Sequence, residues 1–413
     1  MNSSPRTRRT VTVTLASVAV LGLAACGGGS SGGDGGDGGD GGAITSLALW
    51  DGFTQYDAKS PYGQLVTTCQ SKVGVTVQRT QDAAVGDKLL QAASSGKTPD
   101  LVVLDNPTVA QFADAGILVD NATSGLDASK QDENILAAGN VAGKTYGGSI
   151  GSNTLALFYN VDLLKAAGVE PPTNWEELRA AVAATTSGDV KGIAFSAINT
   201  EEGTFQFEPF FWGAGAELSK LDSPQAVQAL QLWTDWTKAG QASESNLNAN
   251  QQDVRDQFLA GTAAMMVNGT WQLPELNKAG IKYGVVPLPA MDGGPAPSPL
   301  GGEFIEVVVS DDARQKKAAE FAQCFIDPAN LGAWAKGQSY ILPYAAQAKE
   351  QAAADKALEP WVEAISAARG RTADLGAKYP DTSRALWTAV QEALTGSKTP
   401  QQALTDAQAS ITS

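Results

Sequence analysis

The chain has 413 residues, 43% of them hydrophobic, more than one hydrophobic core usually holds, which points to two or three domains. Its 44 acidic and 29 basic residues give a net charge of −15, the opposite of what a nucleic-acid binder needs. The absence of histidine excludes His-based triads, His metal sites and imidazole acid–base chemistry, and three cysteines without CxxC spacing make no four-cysteine zinc site, so no metal or cofactor is implied.

Arg6, Arg8 and Arg9 precede a short apolar stretch at 11–23, followed by Ala24-Ala25-Cys26. Residues 1–25 read as a secretory signal, too short and wrongly flanked for a membrane span. Small residues ahead of a cysteine at the end of such a stretch resemble the bacterial lipobox. The resemblance implies cleavage before Cys26, its lipidation, and anchoring to the outer face of the bacterial cell membrane. Buried acyl chains contribute about 0.8 kcal/mol per CH2. The alternative is an ordinary signal peptide with an incidental cysteine. After Cys26, residues 27–42 are only Gly, Ser and Asp, a disordered linker reaching roughly 20–25 Å. Without the signal, 26 basic residues face 44 acidic ones, so charge alone does not hold the body on an anionic bilayer.

From residue 43 strands and helices alternate. Residues 46–50, 75–78 and 101–104 read as strands; 62–71, 86–94 and 109–115 read as helices, with Leu89, Leu90 and Ala93 at helical spacing. This β-α-β-α-β rhythm predicts a parallel sheet covered by helices. Ligands collect at the carboxyl ends of such strands, where the chain places Trp50-Asp51 and Asp105-Asn106; helix capping is the other use for Asp and Asn there. Further on, Thr173 with Glu176 is a capping-box pattern. Ser223-Pro224, Asp327-Pro328 and Thr399-Pro400 each place a cap before a proline. Val227, Leu230, Leu232, Trp233 and Trp236 share one helix and read as core. Residues 293–299 form a Pro/Gly-rich loop, and no solenoid repeat occurs.

Neither a Walker A nor a GxGxxG motif is present. Ser149-x-Gly151 lacks the strained context and the histidine of a nucleophile. Glu201-Glu202, or Glu303 with Glu306, could serve as carboxylate pairs for glycoside hydrolysis. Another group reads as a binding surface: Trp50, Phe205, Phe207, Trp212, Trp271, Tyr340 and Trp387, interspersed with Asp51, Asp105, Asn106, Asn153, Asn268 and Glu303. Aromatic faces pack on the C–H faces of sugar rings, while carboxylates and amides pair with hydroxyls. Cys69 and Cys324 lie in helix-like segments; in an oxidising compartment they are either a disulfide or two buried thiols.

Several ordered stretches resemble the extracellular solute-binding lipoproteins of carbohydrate ABC importers, the maltose-binding-protein-like group. They are PDLVVLD at 99–105 followed by QFADAG at 111–116; GKTYG at 143–147; LFYN at 157–160 and LLKAAGV at 163–169; NWEEL at 174–178; FLAGTAAMMVNGTW at 258–271; GVVPLP at 284–289; and PLGGE at 299–303. The likeness covers residues 47–411. It implies a periplasmic-binding-protein-like α/β fold: two α/β lobes joined by a three-crossing hinge, with the ligand cleft between them. The crossings fall near 150–153, 286–289 and 343–347. Lobe 1 would be residues 43–150 plus 288–343, and lobe 2 residues 154–286 plus 347–413. Cys69 and Cys324 then share a lobe, which favours the disulfide.

Carried over position by position, the resemblance implies a cleft lined by Trp50, Thr54, Gln55 and Asp57 after the first strand, and by Asp105 and Asn106 after the third. Asn153 stands where maltose binders often have an acid. Asn268 and Trp271 come from the NGTW block, and Gly302 and Glu303 from the Gly301-Gly302-Glu303 turn that faces the cleft in the family. Arg371 and Tyr379 lie in a late loop, and Trp387 on the helix after it. Phe205 and Phe207 fall in a loop at 200–207 that carries stacking aromatics. The function implied is a monomeric binding protein, not an enzyme, that captures a sugar or oligosaccharide and delivers it to ABC importer permease subunits. An α-glucoside of the maltose or trehalose type is one candidate. The alternatives are a surface glycoside hydrolase and a binder of a non-sugar solute such as glycerol-phosphate or a polyamine.

Overall fold

The structure is a computed structural model that describes residues 43–372 and 375–412. The signal, Cys26 and the linker fall outside these residues.

Strand β1 (Ser46–Asp51) alternates, with Leu47, Leu49 and Asp51 on one face and Trp50 on the other. Helix α1 (Pro61–Val73) begins where Ser60 accepts from the Gly63 N–H, and ends at the left-handed Gly74. Then come β2 (Thr76–Gln81), α2 (Val85–Ser95) and β3 (Leu101–Asp105). β1 pairs in parallel with β2 and β3, so the predicted parallel block forms. After β4 (Gly148–Ser149) the chain leaves this sheet.

A second sheet starts with β5 (Leu155–Asn160). Helix α3 (Trp175–Thr185) follows. Its cap is Asn174, which accepts from the Glu177 N–H, while the Glu177 carboxylate takes the N–H and hydroxyl of Thr173. The box expected at Thr173 and Glu176 is thus shifted by one residue; the shift puts Trp175 in the first turn, buried, with its indole N–H on the Pro289 carbonyl. β6 (Lys191–Ala194) precedes α4 (Glu201–Gly213). Residues 201–207 are therefore helix, not the loop implied by the resemblance. Then follow α5 (Pro224–Lys238), α6 (Gln251–Leu259), β7 (Ala263–Gly269) and β8 (Tyr283–Val286).

The chain returns to the first sheet as β9 (Glu303–Val307), antiparallel to β3 and β4, giving the order β2-β1-β3-β9-β4. The second sheet has the order β8-β5-β7-β6, with only the β6–β7 pair parallel. Both sheets are mixed because strands arrive from the other sheet and not only through crossover helices. Helices α7 (Asp312–Ile326) and α8 (Pro328–Gln338) cover the first sheet; α9 (Glu359–Ser366), α10 (Tyr379–Leu394) and α11 (Pro400–Thr412) complete the chain.

Each sheet is covered by apolar side chains on both faces. Leu47, Leu49, Val103 and Ile305 pack with Tyr62, Phe321 and Trp334 beneath α1, α7 and α8. Leu157, Ile193 and Val267 pack with Phe207, Phe210, Trp233 and Trp236, the last two being core as predicted. Trp233 stacks on Phe195 with ring centroids 3.8 Å apart. A third cluster runs from Val102 and Phe304 to Phe158 and Met266, with Trp361 of α9 against Phe158. A disulfide joins Cys69 of α1 to Cys324 of α7, with Cα atoms 5.7 Å apart. Among the described residues no helix is long and apolar enough to cross a membrane.

Candidate functional site

A cavity of about 540 Å³ opens between the carboxyl ends of the first sheet and the helix starts of the second lobe. The size suits a small-molecule ligand. Its floor is the end of β3 and the start of β9, where Asp105 and Glu303 are register partners. Gly302 makes that floor possible: its φ is 116°, and an added Cβ would lie 2.2 Å from the Gly151 carbonyl oxygen.

Arg371, 3% exposed, ties the two walls. It donates to both Asp105 oxygens at 3.0 and 2.6 Å, to Glu201 Oε1 at 2.7 Å and to the Leu300 carbonyl. Its guanidinium also lies over the Phe205 ring at 4.9 Å. Behind Glu201, the Tyr379 hydroxyl reaches Glu201 at 2.6 Å and Glu208 at 3.0 Å, and Ser383 donates to Glu201. Burial works against the charge of Arg371, but Asp105 and Glu201 outweigh it and hold the group well above the ordinary arginine value. Burial, reinforced by the charge of Asp105, pushes Glu303 up to about 8. Burial also raises Glu201, against the pull of Arg371.

Aromatic rings and amides line the rest. Phe53 and Tyr56 come from the loop after β1, and the Tyr56 hydroxyl donates to Gln338 at the end of α8 at 2.5 Å. Opposite, Trp271 sits 6.3 Å from Phe205 between ring centroids. Gly269 is required beside it, since a Cβ there would lie 2.0 Å from the Trp271 ring. Gly269 thus makes room for the indole itself. Gln251 and Gln252 open α6, fastened by the Asn250–Asp253 capping box. Glu202 takes the Gln251 N–H at 2.5 Å.

Of the residues singled out in the sequence, Gln55, Asp105, Asn153, Glu201, Glu202, Phe205, Trp271, Gly302, Glu303 and Arg371 line this cavity, as does Tyr340. The others do not. Trp50 points off the opposite face of β1 from Asp51, beneath Lys88 at 5.1 Å. The Asp51 carboxylate is taken up by Arg79 and the Phe53 N–H. Thr54 is exposed, and Asp57 turns back to accept from the N–H groups of Lys59 and Ser60. Asn106 and Asn268 are buried fasteners. Asn106 donates to the carbonyls of Leu300 and Gly302, and Asn268 to that of Gln251. Phe207 is core, because residues two apart on a helix face different ways and Phe205 takes the cleft. Trp387 lies half-buried on α10 away from the cavity, and Tyr379 begins that helix instead of preceding it. Trp212 is buried core beneath Arg369.

Sequence reasoning missed Phe53, Tyr56, Gln251, Gln252, Arg255, Gln272 and Gln338. The polar helix start after Asn250, close before a strand, was a usable signal for Gln251 and Gln252. Gln338, at a helix end distant in sequence, gave none.

The family profile described as "Bacterial extracellular solute-binding protein" matches residues 64–360. A binding protein of Brucella abortus is 26% identical over 254 residues, 57% of this chain and 62% of its own, so the chain spans under two thirds of that relative. The maltooligosaccharide ABC transporter solute-binding lipoprotein of Streptococcus pneumoniae is 26% identical over 339 residues, covering 76% of this chain and 74% of its own. The crystal structure of an ABC transporter solute-binding protein from Thermotoga lettingae bound with α-D-tagatose superposes with a TM-score of 0.78 at 25% identity, covering 89% of this chain and 98% of that one. The α/β architecture in two lobes is that of these binding proteins, and the chain belongs to the bacterial extracellular solute-binding protein family.

Proposed function

We propose that the protein captures a sugar or oligosaccharide in this cleft, performs no chemistry on it, and hands it to the permease of an ABC importer. The observation that carries the reading is the lining: aromatic rings from both walls, interleaved with amides and carboxylates around one cavity. Flat rings suit the C–H faces of sugars, and the polar side chains suit their hydroxyls. The relatives that bind maltooligosaccharide and tagatose support the same class of ligand. In this reading residues 43–150 and 288–343 form one wall, 154–286 and 347–413 the other, and the protein works as a monomer tethered through lipidated Cys26 on the outer face of the cell membrane. The lipoprotein relative supports the tether.

Hydrolysis is the weaker reading. Glu303 and Glu306 lie three apart on β9 and point to opposite faces, with Glu306 fully buried. Glu201 and Glu202 are engaged separately, by Arg371 and by the Gln251 N–H. A thermal-shift screen against a sugar library tests the proposal. A bound sugar at about 100 times its Kd adds about 2.7 kcal/mol of stability. A library in which no sugar shifts the melting temperature, or new reducing ends released from glycosides, would overturn it.

A further inference from the structure

Among the described residues, five carboxylates line the cavity against two guanidinium groups, and neither guanidinium is free. Arg371 is spent on Asp105 and Glu201. Arg255 pairs with Asp256, outside the cavity, and donates to Gln272. Among the described residues Glu303 has no ion-pair partner. It faces Asp105 directly across the β3–β9 pair, an arrangement that disfavours two like charges. Tyr340 is its side-chain partner, yet its Oε2 is shut from solvent with no donor. Glu208, 0% exposed and joined to the same network through Tyr379, also has a buried Oε2 without a donor. The network is short of both donors and positive charge. The acidic side chains do not converge either: among the described residues no group of three is placed to hold a metal ion.

We propose that the sugar bound here carries an amine, and that Glu303 is the residue that selects it over the neutral sugar. The inference rests on the sugar-binding reading above. An ammonium supplies three donors and the missing positive charge together, where a hydroxyl supplies one donor and no charge. The amine end lies at the floor beside Asp105 and Glu303, and the rest of the sugar lies against Trp271, Phe205 and the amides of the second wall.

Isothermal titration at pH 7 with matched pairs, each neutral hexose or disaccharide against its aminodeoxy counterparts, tests this. The amine member should bind at least about tenfold tighter. Glu303→Gln should shrink that ratio at least about threefold, and Glu303→Asp, which keeps the carboxyl, should restore much of it. A neutral sugar that binds as tightly as its amine counterpart overturns the inference and leaves the sugar reading standing, as does an unchanged ratio in a folded Glu303→Gln protein. If no sugar of either kind binds, or if spermidine binds and no sugar does, the sugar reading falls and the inference with it.

Discussion

The two walls of the cleft handle negative charge differently. The second wall presents Glu201 and Glu202 in the first turn of α4, where the positive end of the helix dipole favours them. Each also has a donor: Arg371, Tyr379 and Ser383 for Glu201, and the Gln251 N–H for Glu202. The first wall presents Glu303 at the start of a strand, opposite Asp105, with no helix end and, among the described residues, no ion-pair partner, and burial pushes it up to about 8. Glu306, further along the same strand, is more extreme: fully buried with no side-chain partner, and well above the usual carboxylate range because of burial. Burial raises Glu201 and Glu202 as well, but hydrogen-bond donors and, for Glu201, the charge of Arg371 pull the other way; Glu303 and Glu306 have less to set against their burial.

Removing the group that joins the walls should have the largest effect. Arg371→Ala leaves Asp105 and Glu201 partly buried and unpaired, and should cost about 3–5 kcal/mol in urea unfolding. A loss under about 1 kcal/mol would mean that the ion pairs across the cleft are replaceable by water. The staple in the first wall comes next. The Cys69–Cys324 bond spans a separation of 255 residues, and Cys324→Ser should cost about 2–5 kcal/mol. Equal stability of the oxidised wild type and the variant would contradict that.

Glu306→Leu should raise stability by about 1–3 kcal/mol at pH 7, because it removes a buried carboxyl that no side chain partners. A drop in melting temperature would show that the carboxyl has a partner. The pH dependence tests the share of the buried acids on β9. Glu303 and Glu306 have raised values in the folded state, which therefore keeps protons that the unfolded chain releases above about pH 4.5. Their contribution is full below that value and is lost as pH rises towards about 8 and beyond. Melting temperatures should fall across that window and fall less in Glu306→Leu; an identical slope in the two proteins would assign the decline to other groups.

On the floor, β3 was legible as a short apolar run ending at Asp105, which is a local signal; β9 was not read as a strand, and only the Gly-Gly-Glu turn that opens it was picked out, through the resemblance. The second wall was read less well. Phe205 and Phe207 looked equivalent until a helix ran through them, and only then did one become cleft and the other core. Asn106 and Asn268 have the chemistry of ligand contacts, yet their partners are backbone carbonyls at least 17 residues away in sequence, which no local pattern reveals. Trp50 was misplaced by one position of strand parity. Spacing alone left the cysteine pair open between bond and thiols; the shared lobe implied by the resemblance favoured the bond, and α1 packed beside α7 carries it.

Trp271 gives the most direct test of the cleft as the sugar site, because it lines the cavity while only partly packed against the cores of both sheets. The measurement is the Kd of Trp271→Ala for the sugar that most stabilises the wild type, taken beside the melting temperature of the unliganded variant. Binding weaker by about 2 kcal/mol, roughly thirtyfold, in a protein that still melts cooperatively is the predicted result. Unchanged affinity would contradict the account and place the sugar elsewhere.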